Sequence, residues 1–192
     1  MSTRFVLGIS ALAASLLMSP AALAQGAVTV IGGGLGQACY EAADDKRVAP
    51  MKAMEVCNLA ITNETLKRRD KAATYTNRGI LHMRMGNNTR AMWDYEKSLG
   101  LMPDLKEAKV NLGAALYNLK RYPEALVALN DGVASESETA RTVGFYNRGL
   151  THEKLGNLQS AYEDFQQALK MNPDFKQAED QMARFTVVPA GS

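Results

Sequence analysis

Cysteine and histidine are scarce in this sequence of 192 residues, and neither sign of charge is in excess. The two cysteines, Cys39 and Cys57, do not form a CxxC motif, so redox chemistry that depends on a neighbouring resolving thiol is not expected. Basic residues number 22 and acidic residues 20. This balance argues against binding to nucleic acid or to a membrane surface through bulk charge.

The sequence has one long apolar run, which lies at its start. Residues 5–18, FVLGISALAASLLM, follow Arg4 and precede the small-x-small triplet Ala22-Leu23-Ala24, the pattern of a cleaved secretory signal peptide. At about 14 residues the run is too short to span ~30 Å of hydrocarbon. We expect a signal peptide at 1–24, a flexible lead-in at 25–34 and no stable membrane insertion. Because the signal is short and alanine-rich, we expect the protein to be periplasmic in a bacterium.

The glycines after the predicted cleavage site lack the spacing of a dinucleotide-binding loop. That loop requires G-x-G-x-x-G between a strand and a helix. Counting from Gly32 and Gly34 places Gln37 at the third glycine position. Counting from Gly34 and Gly36 places Cys39 there. No nucleotide cofactor is therefore expected, and VIGGG is interpreted as a flexible segment that ends where the first helix begins.

The strongest feature of the sequence is an internal repeat. Residues 75–104 and 145–174 are similar at an offset of 70, and residues 110–132 form a third copy between them. The period is 34 residues and then 36, with the two extra residues in the polar stretch 134–140. A period of this length indicates stacked helical units that share one core. Identical pairs at the offset of 70 include Asn77 and Asn147, Arg78 and Arg148, Gly79 and Gly149, His82 and His152, Gly86 and Gly156, and Asp94 and Asp164.

Each unit is predicted to be a pair of helices. In the first unit, Tyr75, Gly79 and His82 are spaced to lie on one stripe of a helix. Gly86 suits the left-handed turn after that helix, and the second helix ends before a proline, which cannot continue it. We expect the small residues Gly79 and Ala91 to face each other, so that the two helices approach closely.

The units resemble tetratricopeptide repeats in their order of aromatic, glycine, alanine and proline positions. The matching residues are Tyr75, Gly79, Ala91, Tyr95 and Pro103 in the first repeat, and Phe145, Gly149, Ala161, Phe165, Ala168 and Pro173 in the third. The middle repeat departs most, with Lys109 in place of the first aromatic residue. The resemblance implies an all-α fold, a right-handed α-solenoid of helix-turn-helix repeats with a carboxyl-terminal capping helix. The implied units are a degenerate repeat at 35–71, repeats at 72–105, 106–141 (with a short insertion) and 142–175, a capping helix at 176–185 and a tail at 186–192.

The two cysteines are predicted to form a disulfide. An even number of cysteines in an oxidising compartment favours this, and Cys39 and Cys57 lie on the first and second predicted helices of the degenerate repeat. Closing a loop of this size contributes roughly 3 kcal/mol to stability, which supports a repeat that lacks half of its consensus packing. A catalytic or metal-binding role is the less favoured alternative.

No candidate catalytic or metal site stands out in the sequence. We find no nucleophile with a paired base, no carboxylate pair and no metal-ligand spacing. His82 and His152 are two repeats apart, too far to share a metal ion, and we interpret both as packing residues between paired helices. We expect no enzyme activity, no cofactor and no bound metal.

The predicted binding residues lie on the first helix of each repeat, opposite its packing stripe. Asparagine recurs at one position in all three repeats, and its amide can both donate to and accept from the main chain of an extended ligand. The resemblance places this face in the concave groove where the family binds peptides. The alternative is that asparagine simply suits a wet helix surface. The candidate groove residues are Asn77, Ile80, Arg84, Asn111, Asn118, Asn147, Leu150 and Lys154.

The expected function is non-catalytic protein binding in the periplasm. The partner would be a peptide segment, a folded protein or another copy of the chain. The carboxylate clamp of some members of the family is not expected, because Thr76, Val143 and Asn147 occupy positions where the clamp has basic residues. The alternative function is that of a holdase chaperone or an assembly factor for envelope proteins, which would use the same groove to bind many non-native clients weakly.

Overall fold

The computed structural model describes residues 5–9, 27–30 and 34–189, most of which form consecutive pairs of helices. The predicted cleavage site after Ala24 and the last three residues of the predicted tail lie outside the described residues. The elements in chain order are β1 (Phe5–Ile9), α1 (Leu35–Asp44), α2 (Pro50–Asn63), α3 (Arg68–Arg84), α4 (Asn88–Leu101), α5 (Lys106–Asn118), α6 (Tyr122–Gly132), α7 (Glu138–Lys154), α8 (Leu158–Met171), α9 (Lys176–Met182) and β2 (Phe185–Pro189).

The helices form an α-solenoid. Within each pair the first helix packs on the second: α1 on α2, α3 on α4, α5 on α6 and α7 on α8. The first helices also contact one another in the order α1, α3, α5 and α7, and α9 packs on α8. One cluster of buried side chains runs from α3 to α9, and a second joins α1, α2 and α3. Because each pair completes its core with its neighbours, the predicted fold class is confirmed.

Glycine follows the first helix in two of the repeats. Gly86 and Gly156 come after α3 and α7 with φ angles of 74° and 82°, the left-handed conformation that glycine adopts at low cost. Lys120 occupies the corresponding place after α5 with a φ angle of 62°, where a residue with a Cβ atom is disfavoured. The middle repeat therefore departs from the common pattern at its turn as well as at its first aromatic position.

A glycine allows the two helices of a repeat to approach closely. A Cβ atom built on Gly79 would lie 2.5 Å from the ring of Tyr95, and one built on Gly149 would lie 2.7 Å from the ring of Phe165. Both rings are fully buried. A large ring on the second helix therefore fills the space that each glycine leaves, and that Gly79 also faces Ala91 stays a prediction.

A disulfide joins Cys39 of α1 to Cys57 of α2, as the sequence predicts. Both side chains are fully buried and lie in the same cluster as Ala43, Ala53 and Ala60. These small side chains bury little apolar surface, so they stabilise the first helix pair only weakly. The covalent bond adds to this by fixing α1 to α2.

Two helices begin earlier than the repeat pattern predicts. Helix α3 begins at Arg68 and α7 at Glu138, each four residues before the predicted start of its repeat. Ser137 caps α7, because its side chain accepts a hydrogen bond from the amide of Ala140 at 3.3 Å. Part of the stretch predicted as a surface insertion is therefore the first turn of a helix.

The capping helix ends at Met182, before the predicted end at 185, and a strand follows where the rest of that helix and a tail were expected. Helix α9 ends at Met182, and β2 pairs with β1 in antiparallel register, with Phe5 opposite Pro189 and Ile9 opposite Phe185. The expectation failed because β2 takes its main-chain hydrogen-bond partners from the far end of the chain, which no local pattern reveals. β1 lies within the segment predicted to be a signal peptide.

Candidate functional site

The face predicted to bind a partner is more buried than the sequence analysis expected. Asn77, Asn111 and Asn147 have no exposed surface, and Ile80 and Leu150 are also buried. The alternative interpretation, that asparagine suits a wet helix surface, is therefore wrong for these three asparagines. That they contact a partner stays a prediction.

The burial follows from how the solenoid packs its first helices. Each inner first helix contacts its own second helix and also the first helices on either side. Placing residues at ~100° intervals around an isolated helix treats both flanks as exposed to solvent. In the assembled solenoid these flanks lie between neighbouring helices, so the side chains on them become part of the interior.

The other three candidate residues have different surroundings. Arg84 donates hydrogen bonds to main-chain carbonyls at the end of α1 and in the loop after it, at 3.1–3.3 Å. It therefore ties α3 to the first helix pair through neutral carbonyl groups. Asn118 donates to the side-chain oxygen of Asn88 at 3.4 Å. Lys154 is exposed at the end of α7.

Asn77 makes the contact that defines the site. Its side-chain Nδ2 donates to the main-chain oxygen of Val28 at 2.8 Å, and its Oδ1 accepts from the main-chain amide of Val28 at 2.6 Å. One side chain thus satisfies both main-chain hydrogen-bonding groups of a single residue. This is the chemistry predicted for the recurring asparagines, here directed at residues 27–30 of the same chain.

Residues 27–30 continue into an apolar pocket beside α1. Val30 is 3% exposed. A Cβ atom built on Gly36 would lie 3.2 Å from the side chain of Val30 and 3.0 Å from that of Leu66, so the glycine leaves room for both. Thr29 is exposed between the half-buried Val28 and the buried Val30, which is the alternation of an extended strand.

The start of α1 is ordered by two glycines and a carboxylate. Gly34 precedes α1 with a φ angle of 88°, and the amide of Gly36 donates to Glu64 Oε2 at 2.7 Å. The carboxylate satisfies an amide that a helix start leaves open, and its negative charge suits that end of the helix dipole. Gly34, the last residue of the segment interpreted as flexible, therefore has a defined conformation at the start of the helix.

A cavity of about 420 Å³ borders residues 27–29. Its other walls come from the end of α1 and from the starts of α3, α5 and α7, together with the residues just before α5 and α7. Charges of both signs and three hydroxyl groups, one of them from Thr29, line it, which suits the polar main chain of a polypeptide. The lining residues outside the segment are Asp44, Arg69, Leu105, Glu107, Ser137 and Thr139.

Two copies of an ion-pair network join the first helix of a repeat to its second helix. Arg78 makes hydrogen bonds to both carboxylate oxygens of Asp94 at 2.6 and 2.8 Å, and its guanidinium lies 5.5 Å from the ring centre of Tyr75. Arg148 makes the matching contacts in the third repeat. Bidentate pairing and cation–π contact both depend on the planar guanidinium, which gives these recurring residues a structural role.

His82 and His152 pack between the helices of their pairs. Each Nε2 lies 3.8–3.9 Å from the aspartate of the same network. Burial lowers the pKa of both imidazoles below its ordinary value, and the nearby aspartate offsets this only in part. The neutral form is therefore favoured in the folded protein, which agrees with the packing role that the sequence predicts.

The chemistry available at this site is hydrogen bonding and apolar contact. Within the described residues, no group of three or more His, Cys, Asp or Glu side chains is placed to hold a metal ion. No helix in the described part of the chain is both long and apolar enough to cross a bilayer. The arrangement around Asn77 suits recognition of an extended main chain.

Comparison with known proteins identifies one repeat directly. Residues 143–175 match the family model described as tetratricopeptide repeat. The peptidyl-prolyl cis-trans isomerase FKBP42 of Arabidopsis thaliana is 36% identical over 67 residues, which are 35% of this chain and 18% of that protein. The chain spans less than a fifth of the length of the curated relatives that it matches, so their activities do not follow for this chain.

Solved structures share the fold. MamA from Desulfovibrio magneticus RS-1, residues 41 to the end, is 24% identical with a TM-score of 0.62, over 78% of this chain and 82% of that chain. The second TPR domain of human RPAP3, in complex with the HSP70 peptide SGPTIEEVD, is 22% identical with a TM-score of 0.55, over 61% and 96% of the two chains. At these identities the likeness concerns the fold, which is that of a tetratricopeptide repeat solenoid.

Proposed function

We propose that this protein is a non-catalytic interaction module of the bacterial periplasm that binds an extended peptide or protein segment in its concave groove. The observation that carries the proposal is the pair of hydrogen bonds between the Asn77 side chain and the main chain of Val28. This contact is an example, within the chain itself, of an extended segment bound by a groove asparagine.

Main-chain recognition explains why one residue type recurs in the groove. An amide that binds main-chain groups does not select a particular side chain, so the same residue serves in every repeat. Selectivity then comes from small apolar pockets, such as the one that holds Val30 beside Gly36. The RPAP3 domain in complex with an HSP70 peptide supports peptide binding by a solenoid of this kind.

The proposed location rests on the signal-like start of the sequence and on the disulfide. Disulfides persist in oxidising compartments such as the periplasm, and Cys39 and Cys57 are bridged. Expression in a Gram-negative host tests this. We expect the periplasmic fraction to contain a chain whose intact mass corresponds to a start at Gln25. An unprocessed chain in the cytoplasmic fraction would contradict the proposal.

Alanine variants of the groove asparagines test the binding proposal. Peptides displayed from envelope proteins supply ligands, and titration calorimetry measures the affinity of the best ligand for the wild type and for Asn77→Ala, Asn111→Ala and Asn147→Ala. We expect each variant to bind about fivefold more weakly, since a lost hydrogen bond contributes roughly 1 kcal/mol.

The matched control is Gln166→Ala, which removes an exposed amide on the outer helix α8 and should leave the affinity unchanged. Because the three asparagines are buried, circular dichroism must show that their variants keep the helical fold. If the ligand binds all three asparagine variants with unaltered affinity, the groove is not the binding site. The convex face then becomes the candidate.

A holdase or assembly factor is the alternative function, and exposed apolar side chains on the second helices favour it. Met51, Leu59, Trp93 and Val127 are 46–73% exposed, and exposed apolar surface suits weak, broad binding. An aggregation assay separates the two functions. A holdase suppresses the aggregation of unrelated denatured proteins and does so equally well with alanine at Asn77, whereas an interaction module gives no general suppression.

A further inference from the structure

Residues 27–30 occupy the groove position that an external peptide needs. Val28 uses both hydrogen-bonding groups of the Asn77 side chain. Val30 is buried against Gly36, which also lies close to Leu66. A second polypeptide cannot make these contacts while the segment is in place.

The short connection between residues 27–30 and α1 favours binding of this segment in the groove, but the segment can still be displaced. Val30 lies five positions before Leu35, the first residue of α1, and such a short link gives the segment a high effective concentration at the groove. Among the described residues, its hold includes two main-chain hydrogen bonds to Asn77, the packing of Ala27 on the core and the burial of Val30. Contacts of this kind are individually modest, so a peptide with the same contacts and more can replace them.

We propose that residues 27–30 are an intramolecular ligand that external peptides displace, and that these peptides are extended strands with small or β-branched apolar residues at the positions of Val28 and Val30. This inference rests on the proposed function, because it names the ligand class of the same groove. The main chain of the incoming peptide replaces that of Val28 at Asn77. Its second apolar residue enters the pocket beside Gly36.

Occupancy by the segment raises the apparent Kd for any external peptide. Only the fraction of molecules with an open groove is competent to bind, and the apparent Kd rises as that fraction falls. A variant that releases the segment therefore binds the same peptide more tightly. A simple groove without an internal ligand shows no such gain.

A pair of neighbouring substitutions tests the displacement. Val30→Asp places a charge in a buried position and should release the segment, whereas Thr29→Asp places the same charge at an exposed position. The probe is a fluorescein-labelled peptide of residues 25–31, QGAVTVI, and binding to the otherwise unchanged mature protein is followed by anisotropy. We expect Val30→Asp to bind the probe about tenfold more tightly than the wild type and Thr29→Asp do.

Two further changes identify the contact. Adding Asn77→Ala to the Val30→Asp protein should weaken probe binding at least about fivefold. A probe with proline at the position of Val28 lacks the amide that donates to Asn77 and should be weakened at least as much. Equal affinity of the wild type, Thr29→Asp and Val30→Asp for the original probe would overturn the proposal.

Amide exchange tests the contact between Asn77 and Val28 even if Val30→Asp does not fold. In the wild-type protein the Val28 amide should be protected in NMR exchange experiments, and Asn77→Ala should speed its exchange at least about tenfold. An unprotected Val28 amide in the wild type overturns the proposal. If the probe binds Val30→Asp but no envelope peptide does, the intramolecular contact stands and the proposed function fails.

Discussion

At the scale of single residues, a glycine sets the distance between the two helices of each repeat. Gly79 and Gly149 lie against the buried rings of Tyr95 and Phe165, with no room for a Cβ atom. In a protein interior packed this tightly, the addition of a single methyl group changes the free energy of unfolding. The repeat pattern reveals which positions hold glycine. The contact between each glycine and the ring on the second helix shows why a Cβ atom does not fit there.

Gly149→Ala is expected to lower the free energy of unfolding by about 1–3 kcal/mol, because the added methyl group overlaps the ring of Phe165. Gly100→Ala is the matched control. Gly100 lies in α4 with no atom within 4 Å of the added methyl group, so this change should raise stability by up to about 1 kcal/mol. Urea unfolding followed by circular dichroism measures both. A loss of the same size in the two variants would mean that the Phe165 contact is not the cause.

The groove asparagines show how far single residues can be predicted. The sequence indicates that Asn77, Asn111 and Asn147 are equivalent and that their amides suit main-chain recognition. It does not indicate that Val28 is the partner of Asn77, because 49 residues separate the two. Nor does it show that the flanks of the first helices are buried, since that follows from the helices on either side.

At the scale of elements, the first helix pair is built differently from the other three. In its buried cluster alanines and a disulfide take the place of the large buried rings of the first and third repeats. Its first helix also depends on polar contacts, since Glu64, the residue after α2, accepts from the start of α1, and Arg84 of α3 binds the loop after α1. This pair is therefore expected to be the least stable unit once the disulfide is broken.

Reduction of the disulfide is expected to destabilise the first helix pair by about 3 kcal/mol, because the bridge no longer restricts the unfolded chain. Hydrogen exchange with mass spectrometry should show faster exchange in α1 and α2 after reduction, with α7 and α8 little changed. A Cys39→Ala, Cys57→Ala double variant should behave like the reduced protein and should not respond to reductant. Thiol labelling of both cysteines in the native, unreduced protein would contradict the bridge.

Much of the helix arrangement could be predicted from the repeat, and the exceptions have physical causes. The period reveals stripe residues such as Gly79 and Gly149, which fix the pairing of helices. It does not reveal where a helix starts, because that depends on local capping, as at Ser137 before α7. The strand pair β1 and β2 was not predicted, since a period of helical repeats contains no information about pairing between strands outside the repeats.

At the scale of the whole molecule, the strand pair links the two ends of the described chain. β1 (Phe5–Ile9) lies in the predicted signal peptide, and β2 (Phe185–Pro189) follows the capping helix. A solenoid has an open end after its last helix, which needs a cover. In the full chain β2 continues that cover, and its main chain is paired with β1.

Removal of the predicted signal peptide is expected to release β2, because β1 provides the main-chain hydrogen-bond partners of β2. Hydrogen exchange with mass spectrometry should show residues 185–189 exchanging at least about tenfold faster in a mature chain that starts at Gln25 than in a full-length chain. Leucine at Ala22 and Ala24 blocks processing and provides the full-length chain, purified in mild detergent. Helix α8 is the internal control, because its exchange should be the same in both forms. Equal protection of residues 185–189 would mean that contacts with the solenoid, and not β1, hold the strand.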